Sequence, residues 1–159
     1  MNRAFLLTGG NMDDRHAELE RCAGLIAAAC GKISAVSAFY ETAAWGKTDQ
    51  PPFLNQAIEL ETAFDARELL QELLAIEKRL GRVRKEKNGP RLIDIDILLF
   101  NDEVIDEPHL KVPHPELANR RFALTPLADL AKKLVHPVLK KTIEELLRDC
   151  PDTLAVKKL

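Results

Sequence analysis

The run from Leu92 to Phe100, L-I-D-I-D-I-L-L-F, constrains this chain more than any other stretch. Acidic and apolar residues alternate through it and isoleucine favours extended backbone, so the pattern predicts a β-strand. Successive strand side chains point to opposite faces, which puts Asp94 and Asp96 on the same one. Their Cα atoms are then about 6.6 Å apart, a spacing at which two carboxylates can bracket one or two hard cations. Just before the strand come Arg82, Arg84, Lys85, Lys87 and Arg91, interrupted by Gly89-Pro90, which predicts a loop. A cationic loop feeding a carboxylate pair points to a metal–polyphosphate complex. The bland alternative is a solvated strand face. The neighbouring arginines favour the site, because guanidinium groups clamp phosphoryl oxygens bidentately while lysines add point charge.

The rest of the chain bounds what such a site can serve. Its 159 residues suggest one domain, spanning 1–159. A net charge of -2 and a pI near 6.1 argue against a nucleic-acid binder working by bulk charge. No apolar run approaches the ~20 residues needed to span a bilayer. The apolar stretch Ala4–Thr8 is too short for a signal peptide and reads as a first strand. Cys22, Cys30 and Cys150 have neither metal spacing nor a disulfide framework, which fits buried thiols and a reducing cytoplasm.

In chain order, Arg3–Thr8 predicts a strand, Gly9-Gly10-Asn11 a turn, and Met12–Cys30 a helix with Leu19, Cys22, Ile26 and Cys30 on one stripe. Ile33–Thr42 predicts a strand, and Ala43–Pro52 a loop carrying the only tryptophan, Trp45. That loop is either a lid over a planar ligand or a segment tucked onto the body. Phe53–Thr62 alternates, with Phe53 and Asn55 on one face, where a π-surface and an amide suit the edge of a heterocycle. Asp65 and Glu68 form a capping box for a helix to about Leu80, with Glu77 on its apolar stripe. Glu77 can pair with and position a loop arginine, or face solvent.

After the aspartate strand, Glu103–Ile105 predicts a short hairpin strand. His114 is held between prolines in V-P-H-P, shortly before Arg120-Arg121-Phe122, while His109 reads as surface. A helix is expected from Pro126, another from Thr142 with Glu145 as its capping box, and an edge strand at Leu154–Val156. The order β-α-β-β-α-β is ferredoxin-like: an α+β fold with an antiparallel sheet backed by two helices. The additional C-terminal hairpin and helices would cover the other sheet face, giving a three-layer α/β/α sandwich. Such a site performs phosphoryl-type transfer by positioning and charge neutralisation, and no Walker loop is present.

The run Lys87-Asn88-Gly89-Pro90-Arg91-Leu92-Ile93-Asp94-Ile95-Asp96-Ile97-Leu98 resembles the signature of the 6-hydroxymethyl-7,8-dihydropterin pyrophosphokinases of folate biosynthesis. Gly9-Gly10-Asn11, Gln50-Pro51, Phe53-Leu54-Asn55, Glu77, Gly81-Arg82, Val112-Pro113-His114-Pro115 and Asn119-Arg120-Arg121-Phe122 follow in family order. The resemblance covers nearly the whole chain. It implies transfer of pyrophosphate from ATP to the pterin hydroxymethyl group, leaving AMP. It implies that Asp94 and Asp96 hold two Mg²⁺ ions, with Asp94 also reaching the pterin, and that Arg82 and Arg91 stabilise the transferring group. Glu77, Arg82, Arg84, Arg91, Ile97, His114 and Arg120 are implied on the ATP side. On the pterin side, Phe53 and Phe122 would stack on the ring while Asn55, Thr42, Ala43, Ala44 and Trp45 read its edge. A cytoplasmic monomer with small-molecule substrates, no nucleic acid and no membrane is expected. This chain departs from the family pattern at Gly10, where serine is usual, at Ala43-Ala44, where proline is frequent, and at Asn88, where some members have tryptophan.

A palm-like nucleotidyl transferase or cyclase would share the sheet and carboxylates but has no use for Phe53, Asn55 and Phe122. A ferredoxin-like RNA module would want exposed strand aromatics and positive charge, and aromatics make up 5% of this chain.

Overall fold

The computed structural model describes residues 1–11, 14–43, 51–81 and 93–159. The elements run β1 (Asn2–Gly10), α1 (Arg15–Ala29), β2 (Lys32–Val36), β3 (Tyr40–Thr42), β4 (Phe53–Thr62), α2 (Ala66–Arg79) and β5 (Asp94–Phe100). A hairpin of β6 (Ile105–Glu107) and β7 (Leu110–Val112) follows, then α3 (Arg121–Ala131), α4 (Ile143–Arg148) and β8 (Val156–Lys158). The main sheet has the order β5-β1-β4-β3-β8, with β2 also paired to β4, and every pairing is antiparallel. With β2 and β3 counted as one interrupted strand, this is the ferredoxin-like arrangement.

Side-chain parity along the central strands builds two cores. Ala4, Leu6, Leu54, Ile58, Leu60, Ile93, Ile95 and Ile97 pack with the stripes of α1 and α2, including Leu19, Ile26, Leu69 and Leu73. Phe5, Leu7, Leu98 and Leu99 pack on the opposite face with Leu124 and Leu127 of α3 and Ile143 and Leu146 of α4. The sheet is therefore the middle layer of three. Adjacent Leu98 and Leu99 share one core because the β1–β5 register slips there: Phe5 faces Leu99 while Leu6 faces Ile97. Leu98 is the extra residue of a β-bulge.

The helix ends follow their local chemistry. Asp14 caps α1, its side chain accepting from Ala17 N. Asp65–Glu68 and Thr142–Glu145 both form reciprocal capping boxes. Gly31 follows α1 at φ 149°, and a Cβ there would meet Glu61 O at 2.1 Å, so both backbone angle and space require glycine.

Several boundaries differ from the sequence expectation. β1 runs on through Gly9 and Gly10, which pair with Asn55 and Leu54 instead of turning. The strand expected over Ile33–Thr42 is interrupted, because the Ser37 hydroxyl takes the ladder hydrogen bond from Ala57 N at 2.9 Å. Asp129 then accepts from Ala38 N at 3.3 Å and pulls this segment toward α3. The hairpin strand begins at Ile105 and not at Glu103, since Asn101 and Glu103 are held in the preceding turn by Asn101 N bonding Arg3 O and Glu103 N bonding Phe100 O. α3 begins at Arg121, five residues before Pro126, because Asp152 from the distant C-terminal segment accepts from Arg121 N at 3.1 Å and satisfies its first N–H. β8 starts at Val156, where pairing with Thr42 begins.

Candidate active site

α3 and α4 cover only part of their sheet face. At the uncovered end, the same parity that sends Phe5, Leu7 and Leu98 into the second core brings Gly9, Phe53, Asn55, Asp94 and Asp96 to the surface of a cavity of about 540 Å³. Thr42, Ala43, Glu116, Asn119, Arg120, Phe122 and Leu154 complete its walls together with Leu7.

The polar groups of this cavity are set by the strands beneath them. Asn55 faces Gly9 across the β1–β4 ladder. A Cβ on Gly9 would lie 2.1 Å from Asn55 Nδ2, so the missing side chain is what lets the amide lie against β1. In that position Nδ2 donates to Thr8 O at 3.3 Å. Asn55 Oδ1 and Thr42 Oγ1 are both buried and have no hydrogen-bond partner among the described residues. Leaving such atoms unsatisfied costs about 1–3 kcal/mol each. Two of them in one cavity leave an amide oxygen and a hydroxyl open to a ligand. Phe53 and Phe122, both half-buried, furnish apolar surface, and the Arg120 guanidinium lies 5.7 Å from the Phe122 ring centroid.

A second hollow of about 250 Å³ opens on the other side of the carboxylates, lined by Leu70, Ile95, Asp96, Ile97, His114 and residues 108–111 and 115. Asp96 lines both hollows and Asp94 the larger one. His114 is anchored twice: its N–H donates to Leu98 O at 2.9 Å, and its Nδ1 accepts from Glu116 N at 3.1 Å. With Nδ1 an acceptor, the neutral ring carries its proton on Nε2. Burial, reinforced by the Arg120 guanidinium, pushes the imidazole down to about 4 against smaller opposing pulls from Glu116 and Asp94. His114 is thus a neutral hydrogen-bonding group at pH 7, not a cation.

The structure brings Asp94, Asp96, Thr42, Ala43, Phe53, Asn55, Phe122 and Arg120 together around the first cavity, and Asp96, Ile97 and His114 around the second. Glu77 lines neither. It is buried in α2 and its Oε2 accepts from Ile95 N at 2.7 Å, tying the helix to the strand that carries both aspartates. Ala44, Trp45, Arg82, Arg84 and Arg91 lie outside the described residues. Sequence reasoning missed Leu7, Glu116 and Leu154 as wall residues, and it noted Gly9 and Asn119 only as members of motifs. The parity of β1 could have found Leu7 and Gly9; no local pattern marks Leu154. Arg121, next to Arg120 in sequence, lines neither hollow and bonds Asp152 O and Cys150 O.

Two hollows that meet at one carboxylate, on a ferredoxin-like sheet, form the candidate site. Comparison with known proteins is specific. The model of the family 7,8-dihydro-6-hydroxymethylpterin-pyrophosphokinase (HPPK) matches residues 5–132. The 2-amino-4-hydroxy-6-hydroxymethyldihydropteridine pyrophosphokinase of Methylorubrum extorquens is 42% identical over 136 residues, covering 85% of this chain and 86% of that protein. The Bacillus subtilis protein of the same name is 41% identical over 134 residues, covering 84% and 80%. Among solved structures, wild-type HPPK-DHPS of Plasmodium falciparum superposes with a TM-score of 0.74 at 20% identity, over 92% of this chain. This chain spans 44% of that longer one, and the likeness at such identity concerns the fold. The chain belongs to the HPPK family and is a pyrophosphokinase of folate biosynthesis.

Proposed function

We propose that the chain transfers the β,γ-pyrophosphoryl group of ATP to the hydroxymethyl oxygen of 6-hydroxymethyl-7,8-dihydropterin. That oxygen forms a bond to the β-phosphorus, the bond from the β-phosphorus to the oxygen on the α-phosphorus breaks, AMP leaves with that oxygen, and the hydroxyl proton is released. The observation that carries this reading is the pair of unsatisfied buried atoms, Asn55 Oδ1 and Thr42 Oγ1, in the cavity that also holds Asp94 and Asp96. An amide oxygen and a hydroxyl suit the amino and ring N–H edge of a pterin, and Phe53 and Phe122 suit its faces. Ile97 and His114 in the adjoining hollow suit the nucleotide, with Arg120 on the cavity side. Arg82, Arg84 and Arg91 are assigned to the phosphates from the sequence motif, and Glu77 to the support of the Asp94–Asp96 strand beneath them.

The donor set fits Mg²⁺. Asp94 and Asp96 offer hard carboxylate oxygens from one strand face, and the described residues contain no group of three or more His, Cys, Asp or Glu side chains that could enclose an ion. Mg²⁺ characteristically combines one or two carboxylates with water and substrate phosphates. Two ions held by Asp94 and Asp96 would neutralise the polyphosphate and polarise the acceptor hydroxyl. The protein's own contribution is orientation: the fixed strand presents the carboxylates between the two hollows, and the apolar walls exclude water from the pterin side. No helix among the described residues is long and apolar enough to cross a membrane. A cytoplasmic monomer acting on small molecules completes the proposal, supported by three free, buried cysteines.

Incubation with ATP, Mg²⁺ and 6-hydroxymethyl-7,8-dihydropterin, followed by nucleotide separation, tests the reading. Pterin-dependent AMP is expected. Formation of ADP instead, or of AMP without pterin, overturns it.

A further inference from the structure

The C-terminal segment lies beyond residues 5–132, which the family model matches, and yet Leu154 lines the larger cavity beside Phe122 and Thr42. The segment is held by a compact set of contacts. Asp152, 9% exposed, accepts from Arg121 N at 3.1 Å through Oδ2 and from Leu154 N at 3.0 Å through Oδ1. Arg121 returns two bonds, from Nε to Asp152 O at 2.9 Å and from its other guanidinium nitrogen to Cys150 O at 3.2 Å. Beyond Leu154, β8 pairs with β3 so that Val156 faces Thr42. One carboxylate therefore caps the helix that carries Phe122 and at the same time sets the backbone of Leu154. Two walls of the cavity are fixed relative to each other through a single side chain.

We infer that Leu154 is a substrate-contacting wall of the pterin subsite, and that Asp152 is its positioning residue, acting through the backbone of Leu154 and the first turn of α3. The inference rests on the pterin reading of the cavity. Arg121 is spent on this clamp and not on phosphate. The tail thus supplies specificity: it closes the cavity with an aliphatic side chain that adds to Leu7 of β1.

The test is equilibrium dialysis of 6-hydroxymethyl-7,8-dihydropterin against the full chain, with Mg²⁺ and α,β-methylene-ATP, which cannot release its pyrophosphoryl group. Leu154→Ala should weaken pterin binding about tenfold, Leu154→Ile should restore it, and the Kd of the nucleotide analogue should stay within about twofold. Asp152→Ala should weaken the pterin in the wild-type background but add little to Leu154→Ala, since its effect runs through the same side chain. Asp152→Asn serves where the alanine variant folds poorly. Unchanged pterin affinity in Leu154→Ala, equal loss of both ligands, or additive effects of the two substitutions would overturn the inference. Tight pterin binding by the wild-type chain without AMP formation in the turnover assay would refute the reaction and leave the wall to be decided by the same binding data. Absence of pterin binding to wild type would refute both.

Discussion

Gly9 shows how much a site can depend on an atom that is not there. Its Cα is paired with Asn55, and the space a Cβ would take is filled by the Asn55 amide nitrogen. Gly9→Ala should therefore turn the amide away and reduce pterin affinity, while in an Asn55→Ala background the same change should have little effect. A double-mutant cycle on pterin Kd checks the coupling, and equal losses in both backgrounds would contradict it. At Asp96, which borders both hollows, Asn substitution keeps shape but removes charge. Turnover should fall by about a thousandfold with the thermal midpoint little changed, and retained turnover would deny the carboxylate its role. His114 yields a prediction with a definite sign. Its folded-state value, about 4, is below the ordinary 6.5, so between those values the unfolded chain binds the extra proton. The stability this neutral histidine supports is complete above about 6.5 and is lost as pH falls toward 4. Urea midpoints at pH 7 and pH 5 should differ less in His114→Gln than in wild type. Asp94, Asp96, Phe53 and Asn55 were legible as site candidates because strand parity and residue chemistry are local, and Phe122 only through the family resemblance. Leu154 was not, because only tertiary contacts made through Asp152 bring it to the cavity.

Among the elements, those with their own terminators matched expectation most closely. The Thr142–Glu145 box starts α4 where the sequence places it, with Glu145 N donating to the Thr142 hydroxyl at 3.1 Å and Thr142 N donating back to Glu145 at 2.9 Å. That bonding holds the Glu145 carboxyl below its usual range. Thr142→Ala should cost about 1 kcal/mol by urea titration, since it leaves an N–H of a short helix without its cap. Elements whose limits depend on distant partners were misjudged. The interruption between β2 and β3 needs Ser37 to reach Ala57 and Asp129 to reach Ala38 and the Tyr40 hydroxyl. Burial first, and then the hydrogen bond to Asp129, pushes the Tyr40 phenol up to about 12, so it remains a donor throughout the neutral range. The early start of α3 needs a carboxylate 31 residues away. In each case a side chain from elsewhere supplies a backbone bond that the local sequence gives no reason to expect.

Across the whole molecule, one sheet separates the α1–α2 core from the α3–α4 core: the smaller hollow is edged by the former through Ile95 and Ile97, and the larger cavity opens beside the latter. Cys22 and Cys30 belong to the former, and burial is the leading cause that pushes their thiols up to about 12 and about 11. At pH 8, Ellman's reagent should leave both unmodified in the native protein, while all three cysteines react in guanidinium. Rapid native labelling at Cys22 would contradict this packing. The bulge at Leu98 connects the two layers. Phe100 and the isoleucines at 93, 95 and 97 all reach the α1–α2 core only because the strand shifts phase by one residue between them. Had the pleat continued unbroken from Phe100, the odd positions would have turned outward and Asp94 and Asp96 would have pointed into the oil of that core. Which way the carboxylates point is thus chosen by the burial of isoleucine, so the orientation of the charges and the collapse of the core are one event. The enzyme cannot pack this face in its native register and leave the two carboxylates unaimed.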